Sequence, residues 1–313
     1  MNVLEISITT SIIPGSLIIA ILMALMMSPA LSSATSIPQL NQTQTELGSQ
    51  LVIEAEKDLM LIVSILASEL ETRIIKSAAI IEITSKLPEV SSAPFASSIT
   101  RELHGIPQDA DTQKRKVAQD ILAADRDFEL ILFLMPNGDV YLEEPYSRQQ
   151  NLTEPNLASR EYFRGAIDTQ NTYLGNVYIS ASSGRPQANI AVPIYSENNG
   201  TLVGVWAGGL NLTSLSSSLQ SLNLTDINER IVYVDQQGQK VADSDNQLLS
   251  RSSNMIESFA HLQSFRNAIN GQSGTITEII NGTQMAVSYH PLKAFSKTWA
   301  VLFMQSHEGN RVS

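Results

Sequence analysis

The chain has 313 residues, with 20 Lys and Arg against 31 Asp and Glu and a formal net charge of −11, so it offers no basic stripe for nucleic acid or for an anionic lipid surface. It has no cysteine, which excludes disulfides, thiolate metal sites and cysteine nucleophiles and leaves a hydrophobic core to hold the fold. His104, His261, His290 and His307 stand apart, without the i, i+4 spacing of metal ligands, so zinc or triad chemistry is poorly provided for.

Between Glu5 and Glu46 there is no charged residue, and Leu17 to Met27 is continuously apolar. Two readings stay open for residues 1–34. As a signal peptide the segment has an apolar stretch of suitable length, with Ser32, Ser33 and Ala34 for cleavage. As a membrane anchor, Ile12 to Leu31 spans the roughly 20 residues that a bilayer crossing needs. Neither reading finds the usual positive charge at the N-terminus. Either way the remainder is expected outside the cytoplasm, membrane-anchored or secreted. Asn-X-Ser/Thr sequons at Asn41, Asn151, Asn199, Asn211, Asn223 and Asn281 are compatible with that placement.

Residues 35–100 are expected to hold a spacer and a spine helix. Ser28 to Thr45 is rich in Ser, Thr, Gln and Pro and reads as the spacer. From Glu46 to Ser85, Leu47, Leu51, Ala55, Leu59, Ile62, Leu66, Leu70 and Ile74 recur at threes and fours, which predicts one long helix. Ile65, Ile75, Ile80 and Ile81 widen its stripe beyond a two-helix seam, so packing on the protein's own sheets is expected. The Pro/Ser-rich stretch from Leu87 to Ala96 ends it.

Residues 101–220 read as a first module. A helix over Lys114 to Arg126 leads to a strand, Phe128 to Leu134, a turn at Asn137 and Gly138, and a return strand, Val140 to Leu142. Asp120, Asp125, Asp127 and Glu129 read as charges that cap and solvate the helix end. Ser159 to Leu215 then brings Arg160, Tyr162 and Phe163 together in sequence, followed by Tyr173 and Tyr178. Two apolar runs, Ala188 to Ile194 and Leu202 to Leu210, flank Asn199 and Gly200 and predict a hairpin. A guanidinium beside aromatic rings makes a wall for a small anionic or zwitterionic ligand. The plainer alternative is an arginine held by a carboxylate over core aromatics.

After a connecting segment, Leu215 to Leu224, the plan repeats over residues 221–313. Arg230 to Val234 and Lys240 to Ala242 flank a turn at Gly238, and a helix over Met255 to Asn267 follows. Strands at Gly274 to Ile280, Gln284 to Tyr289 and Thr298 to Gln305 close the chain. Duplication of a unit of about 100 residues predicts an α+β fold of two tandem modules with antiparallel sheets, sharing one long N-terminal helix.

Enzyme signatures are scarce: there is no Gly-x-Ser-x-Gly, no His-Glu-x-x-His and no phosphate-binding glycine loop. Gly204, Gly208 and Gly209 sit in a strand pattern and read as close-packing positions. Asp243, Ser244, Asp245 and Asn246 lack the spacing of a calcium loop. No catalysis, cofactor or metal is expected.

The pattern Ser159-Arg160-x-Tyr162-Phe163-x-x-Ala166, then Tyr173 to Tyr178, Ser180, Gly184 and Pro186, then Ile190 to Ile194, then Gly204, Gly208, Leu210 and Leu212 resembles the double Cache family. These are extracytoplasmic sensor domains of chemoreceptors, histidine kinases and related receptors. The resemblance covers nearly the whole chain and implies two PAS-like modules, the first holding a small ligand such as an amino acid, organic acid or amine. In the amino-acid-binding branch an Arg and an aromatic two residues later hold the ligand carboxylate, and a Tyr with two acidic residues holds the ammonium. Mapped by motif, Arg160 is the carboxylate binder, Tyr162 and Phe163 are the adjoining aromatics, and Tyr178 is the central tyrosine. Here the chain departs from the pattern: the acidic positions fall on Ser180 and Asn211, and an upstream aromatic position on Pro155. An ammonium would meet no counter-charge there, so a small carboxylate or neutral polar ligand, and not a typical amino acid, is expected. Glu161 and Asp168 are close enough in sequence to supply the missing charge.

The functional expectation is a small-molecule sensor module for signal transduction or chemotaxis. The alternative is a surface structural or adhesion protein with the same fold and no ligand. Such receptors normally continue into an output domain, so either a truncated receptor or a stand-alone module that signals through a separate partner is expected, and a homodimer along the spine helix would be usual for the family.

Overall fold

The computed structural model describes residues 37–306 apart from 223, 225–228, 246 and 250–254. The expected signal or anchor at 1–34 and the sequon at Asn223 lie outside the described residues. Among the described residues no helix is long and apolar enough to cross a membrane.

Helix α1 spans Ile37–Ser85, so the latter part of the expected spacer is helical. From residue 63 its inward face carries Val63, Leu66, Ala67, Leu70, Ile74, Ala78 and Ile81, all buried at steps of three and four. These residues share one core with Ile131, Phe133, Tyr141 and Trp206 of the first module and with Ile231, Tyr233, Trp299 and Val301 of the second. One helix therefore serves both modules. The stripe is narrower than expected at its margins: Ile65 and Ile75 are 57% and 51% exposed, because the sheets meet only one side of the helix.

The first module begins with α2 (Thr112–Ala124), whose N-cap Asp111 accepts from the Lys114 N–H. A five-stranded antiparallel sheet follows, built from β1 (Phe128–Leu134), β2 (Val140–Glu144), β3 (Tyr173–Leu174), β6 (Asn189–Tyr195) and β7 (Leu202–Leu210) in the order β2-β1-β7-β6-β3. A short helix α3 (Tyr146–Gln150), helix α4 (Glu161–Thr169) and a small hairpin of β4 (Tyr178–Ile179) and β5 (Pro186–Gln187) complete it. The expected connecting segment is itself mostly helix α5 (Leu212–Gln220), which buries Leu215 and Leu219.

The second sheet comprises β8 (Glu229–Val234), β9 (Lys240–Asp243), β10 (Gly274–Ile280), β11 (Thr283–Ala294) and β12 (Lys297–Ser306) in the matching order β9-β8-β12-β11-β10. Helix α6 (Gln263–Ile269) starts later than the expected Met255. In each module α1 lies on one face of the sheet. On the other face α4 packs with Leu130, Leu132 and Leu157, and α6 with Val232, Val234 and Phe259.

The repeat extends to hydrogen bonds. Leu157 N–H donates to the Gly138 carbonyl at 2.7 Å and Phe259 N–H to the Gly238 carbonyl at 2.7 Å. Both turn glycines have positive φ, 86° and 83°. A Cβ on either would lie 2.5 Å or 2.7 Å from the backbone nitrogen of Ala158 or Ala260, so only glycine fits. The acidic cluster read as a solvated helix end is instead partly structural. Asp127 pairs with Arg73 of α1 at 2.5 Å, and Glu129 lies on β1 facing Arg148 at 3.5 Å.

Candidate ligand-binding site

Alternation along β1 sends Ile131 and Phe133 towards α1 and leaves Leu130 and Leu132 on the opposite face. There they form the floor of a cleft of about 240 Å3, counting the solvent at its mouth. Glu143 of β2, directly opposite Leu132 in register, enters the same cleft. Arg160 at the N-terminus of α4 and Tyr162 in its first turn supply one wall. The β4–β5 hairpin supplies the other with Tyr178, Ser180, Ser182 and Gln187, and Asn189 of β6 closes the back.

Arg160 reaches an exposed carboxylate, Glu154, at 3.2 Å, and its guanidinium lies 4.9 Å from the centre of the Tyr178 ring. The Tyr162 and Tyr178 rings lie 5.7 Å apart. Burial raises the pKa of both phenols, which stay neutral donors at any physiological pH. Several buried polar atoms here have no hydrogen-bond partner: Arg160 Nε, the Tyr162 hydroxyl, Gln187 Nε2 and both amide atoms of Asn189. The Tyr162 hydroxyl lies near Tyr178 and Asn189 but meets hydrogen-bond geometry with neither. Buried polar groups are almost always paired, so this convergence marks the cleft as unfinished without a partner.

Glu143 is the residue the sequence reading missed. It is 2% exposed, accepts from the Ser182 hydroxyl at 2.7 Å and lies 3.5 Å from Arg148 Nε. Burial raises its pKa against those two partners, and neighbouring Glu129 adds to the rise. Arg148 also holds Ser182 at 2.9 Å, Gln187 at 3.3 Å and Glu129, so one cation serves a buried acid and a half-buried one.

Of the seven residues singled out in the sequence, Arg160, Tyr162, Tyr178 and Ser180 line the cleft. Phe163 does not: it packs in the core beneath α4. Tyr173 instead donates to Glu161 at 2.6 Å beneath Lys297. Asn211 is the N-cap of α5, accepting from Ser214 N–H, and its amide donates to the Arg126 carbonyl. Ser180 is neutral as expected, and an acid, Glu143, enters the cleft from β2, outside the motif.

The second module shows what the same frame does when closed. Leu130 pairs with Gly209 and Gly209 with Asn189; the corresponding row is Arg230, Met304 and Val287. A Cβ on Gly209 would lie 1.9 Å from Gln187 Nε2, so glycine makes room for the cleft's polar floor, where the second module puts a buried methionine. Arg230 pairs with Asp243 at 2.5 Å and Glu257 at 2.6 Å, and Lys240 with both at 2.9 Å and 3.0 Å. Charges that could meet a ligand are spent on one another. Among the described residues no group of three or more His, Cys, Asp or Glu could hold a metal ion.

The model of the Cache domain family matches residues 42–309. The chain belongs to the Cache family. No curated protein sequence matches it. Among solved structures it is similar to the ligand-binding domain of the Pseudomonas aeruginosa PAO1 amino acid chemoreceptor PctB in complex with L-Arg, with 15% identity, a TM-score of 0.56, and 83% of this chain and 98% of that one covered. It is likewise similar to the periplasmic sensory domain of the Campylobacter jejuni chemoreceptor Tlp1, at 13% identity and a TM-score of 0.59 over 82% of this chain and 96% of that one. The extracellular domain of a putative histidine kinase, rpHK1S-Z16, matches at 12% identity and a TM-score of 0.61 over 82% and 96%. At these identities the likeness concerns the fold, which matches the α+β double-module expectation.

Proposed function

We propose that this Cache protein is an extracytoplasmic sensor module whose first-module cleft binds a small metabolite carrying both a carboxylate and a hydrogen-bond-donating group, such as an amine. The observation that carries this reading is the set of unpartnered buried polar atoms on Arg160, Tyr162, Gln187 and Asn189 around a single cleft. Arg160 meets the carboxylate. Its present partner, Glu154, is exposed, and such a pair is worth little, so an incoming carboxylate displaces it easily. Glu143 meets the donor, replacing the acidic positions that Ser180 and Asn211 leave neutral. The tyrosine hydroxyls and the two amides fix orientation.

The chemoreceptor named above, in complex with L-Arg, supports an amino acid or a close analogue as the first class to try. Membrane attachment through residues 1–34 and output through a partner or a second copy complete the proposal.

A thermal-shift screen of the chain from about Thr35 onward against carboxylates, amino acids, amines and nucleobases tests it. A ligand at about 100 times its Kd stabilises by about 2.7 kcal/mol. Arg160→Ala should remove the shift and leave the unliganded melting temperature nearly unchanged. A shift that survives in that variant refutes the assignment of Arg160. No shift with any compound favours a structural role for the protein.

A further inference from the structure

The wall of the cleft is held from outside the module that contains it. Just before Tyr178, the Asn176 N–H donates to Glu161 Oε2 at 2.7 Å and the Val177 N–H donates to Asp235 Oδ2 at 2.7 Å. Glu161 Oε1 accepts from the Tyr173 hydroxyl at 2.6 Å and from Lys297 Nζ at 2.6 Å. Asp235 follows β8 and Lys297 opens β12, so both belong to the second module. Glu161 stands between two residues of the cleft, Arg160 and Tyr162.

Asp235 serves its own turn with one carboxylate oxygen and the first module with the other. Met135 holds the same position in the first module, where Gly138 N–H donates to Met135 at 2.8 Å and Met135 N–H to Asp139 at 2.8 Å. The second turn closes the same way, Gly238 to Asp235 at 3.0 Å and Asp235 to Gln239 at 2.9 Å. In the first turn Asn137 Oδ1 accepts from the Asp139 N–H; in the second, Asp235 Oδ1 takes that part, accepting from the Gln237 and Gln239 N–H groups. The carboxylate is 0% exposed, and its other oxygen, Oδ2, is turned to Val177.

We propose that Asp235 and Lys297 are positioning residues by which the second module clamps the Tyr173–Val177 segment that leads into the β4 wall of the cleft, making cleft closure and module docking one equilibrium. This rests on the cleft being the ligand site. A ligand that braces Tyr178 would then tighten the hold of the second module, which is how occupancy would reach the rest of a receptor.

Burial pushes the Asp235 carboxyl up to about 6, opposed by the Val177, Gln239 and Gln237 amides and assisted by Glu161 of α4, so the Val177 contact itself favours the ionised carboxylate.

Residue-resolved hydrogen exchange on the full chain, corrected for intrinsic rates, tests this without a ligand. Asp235→Asn is isosteric but turns an N–H against that of Val177, and Lys297→Met removes the cation from Glu161. Val177 in the first variant and Asn176 in the second should exchange about tenfold faster at pH 7, with Val232 of β8 and Leu302 of β12 unchanged. Unchanged protection at Val177, or loss spread equally through β8 and β12, overturns the clamp. The two readings fail separately: a screen without any shift removes the ligand and leaves these exchange rates as expected, whereas unchanged exchange removes the clamp and leaves the ligand shift intact.

Discussion

Glu143→Gln should raise the stability of the unliganded protein while weakening ligand binding, and the opposition of signs is what makes it informative. Glu143 is nearly fully buried, with one good hydrogen bond from Ser182 and a longer approach from Arg148. Because burial outweighs those partners, its folded-state pKa lies above the ordinary value. Such a group contributes stability that is complete below its unfolded pKa and is lost as pH rises through the folded one; each unit of rise removes about 1.4 kcal/mol at neutral pH. The amide keeps the shape and the Ser182 contact without the charge, and Arg148 retains Glu129, Ser180 and Gln187. The unliganded melting temperature at pH 7 should therefore hold or rise, by about 2–4 °C per kcal/mol for a domain of this size, and its decline as pH rises above the ordinary carboxyl range should flatten.

Binding moves the other way. A charged hydrogen bond contributes about 1.5–3 kcal/mol, so affinity for an amine-bearing ligand should fall about tenfold to a hundredfold. At a concentration of about 100 times the original Kd, stabilisation then drops from about 2.7 to about 0.4–1.4 kcal/mol. Differential scanning fluorimetry across pH, with and without the best compound of the screen, reads both effects. A fall of the unliganded melting temperature by more than about 4 °C would make Glu143 a structural partner of Arg148. An undiminished ligand shift would refute its contact with ligand.

Gly209→Ala should close the cleft from its floor, since the new Cβ meets Gln187 Nε2 at 1.9 Å and Leu130 Cγ at 2.8 Å; calorimetry should show binding lost, and retained affinity would refute Gly209 as the space-maker. In the second module, Asp243→Ala leaves Arg230 and the buried Lys240 with Glu257 alone, which should cost about 3–5 kcal/mol and be visible as a lower denaturation midpoint. Burial works to raise the Asp243 pKa, but Arg230 and Lys240 outweigh it and hold it low. The stability it provides is therefore present above about pH 4 and lost below, in acid titrations that the variant should not follow.

Much of this protein is local and could be read in the chain. The periodicity from Glu46 to Ser85 specified the spine helix, because a one-sided apolar stripe has few other ways to be buried. Strand pairs around Gly138, Gly200, Gly238 and Gly282 were legible because a positive φ at a turn restricts residue choice; all four have it. The duplication showed for the same reason, since the same turn recurs about a hundred residues on with the same demands. Arg160, Tyr162 and Tyr178 could be singled out because their motif is compact.

Tertiary structure decided the chemistry of the site. Glu143 looks in sequence like one more acidic residue at a strand end, and only its register opposite Leu132 turns it into the cleft. Phe163 and Asn211 looked equivalent to their motif neighbours, until the helix phase sent one into the core and the other to cap α5. Asp235, after β8, and Lys297, at the start of β12, reached Val177 and Tyr173 of the other module through docking alone. Backbone preferences act over a few residues and are written in the sequence. Charge compensation acts through space, so which acid answers which cation was settled only when the two sheets closed on one helix.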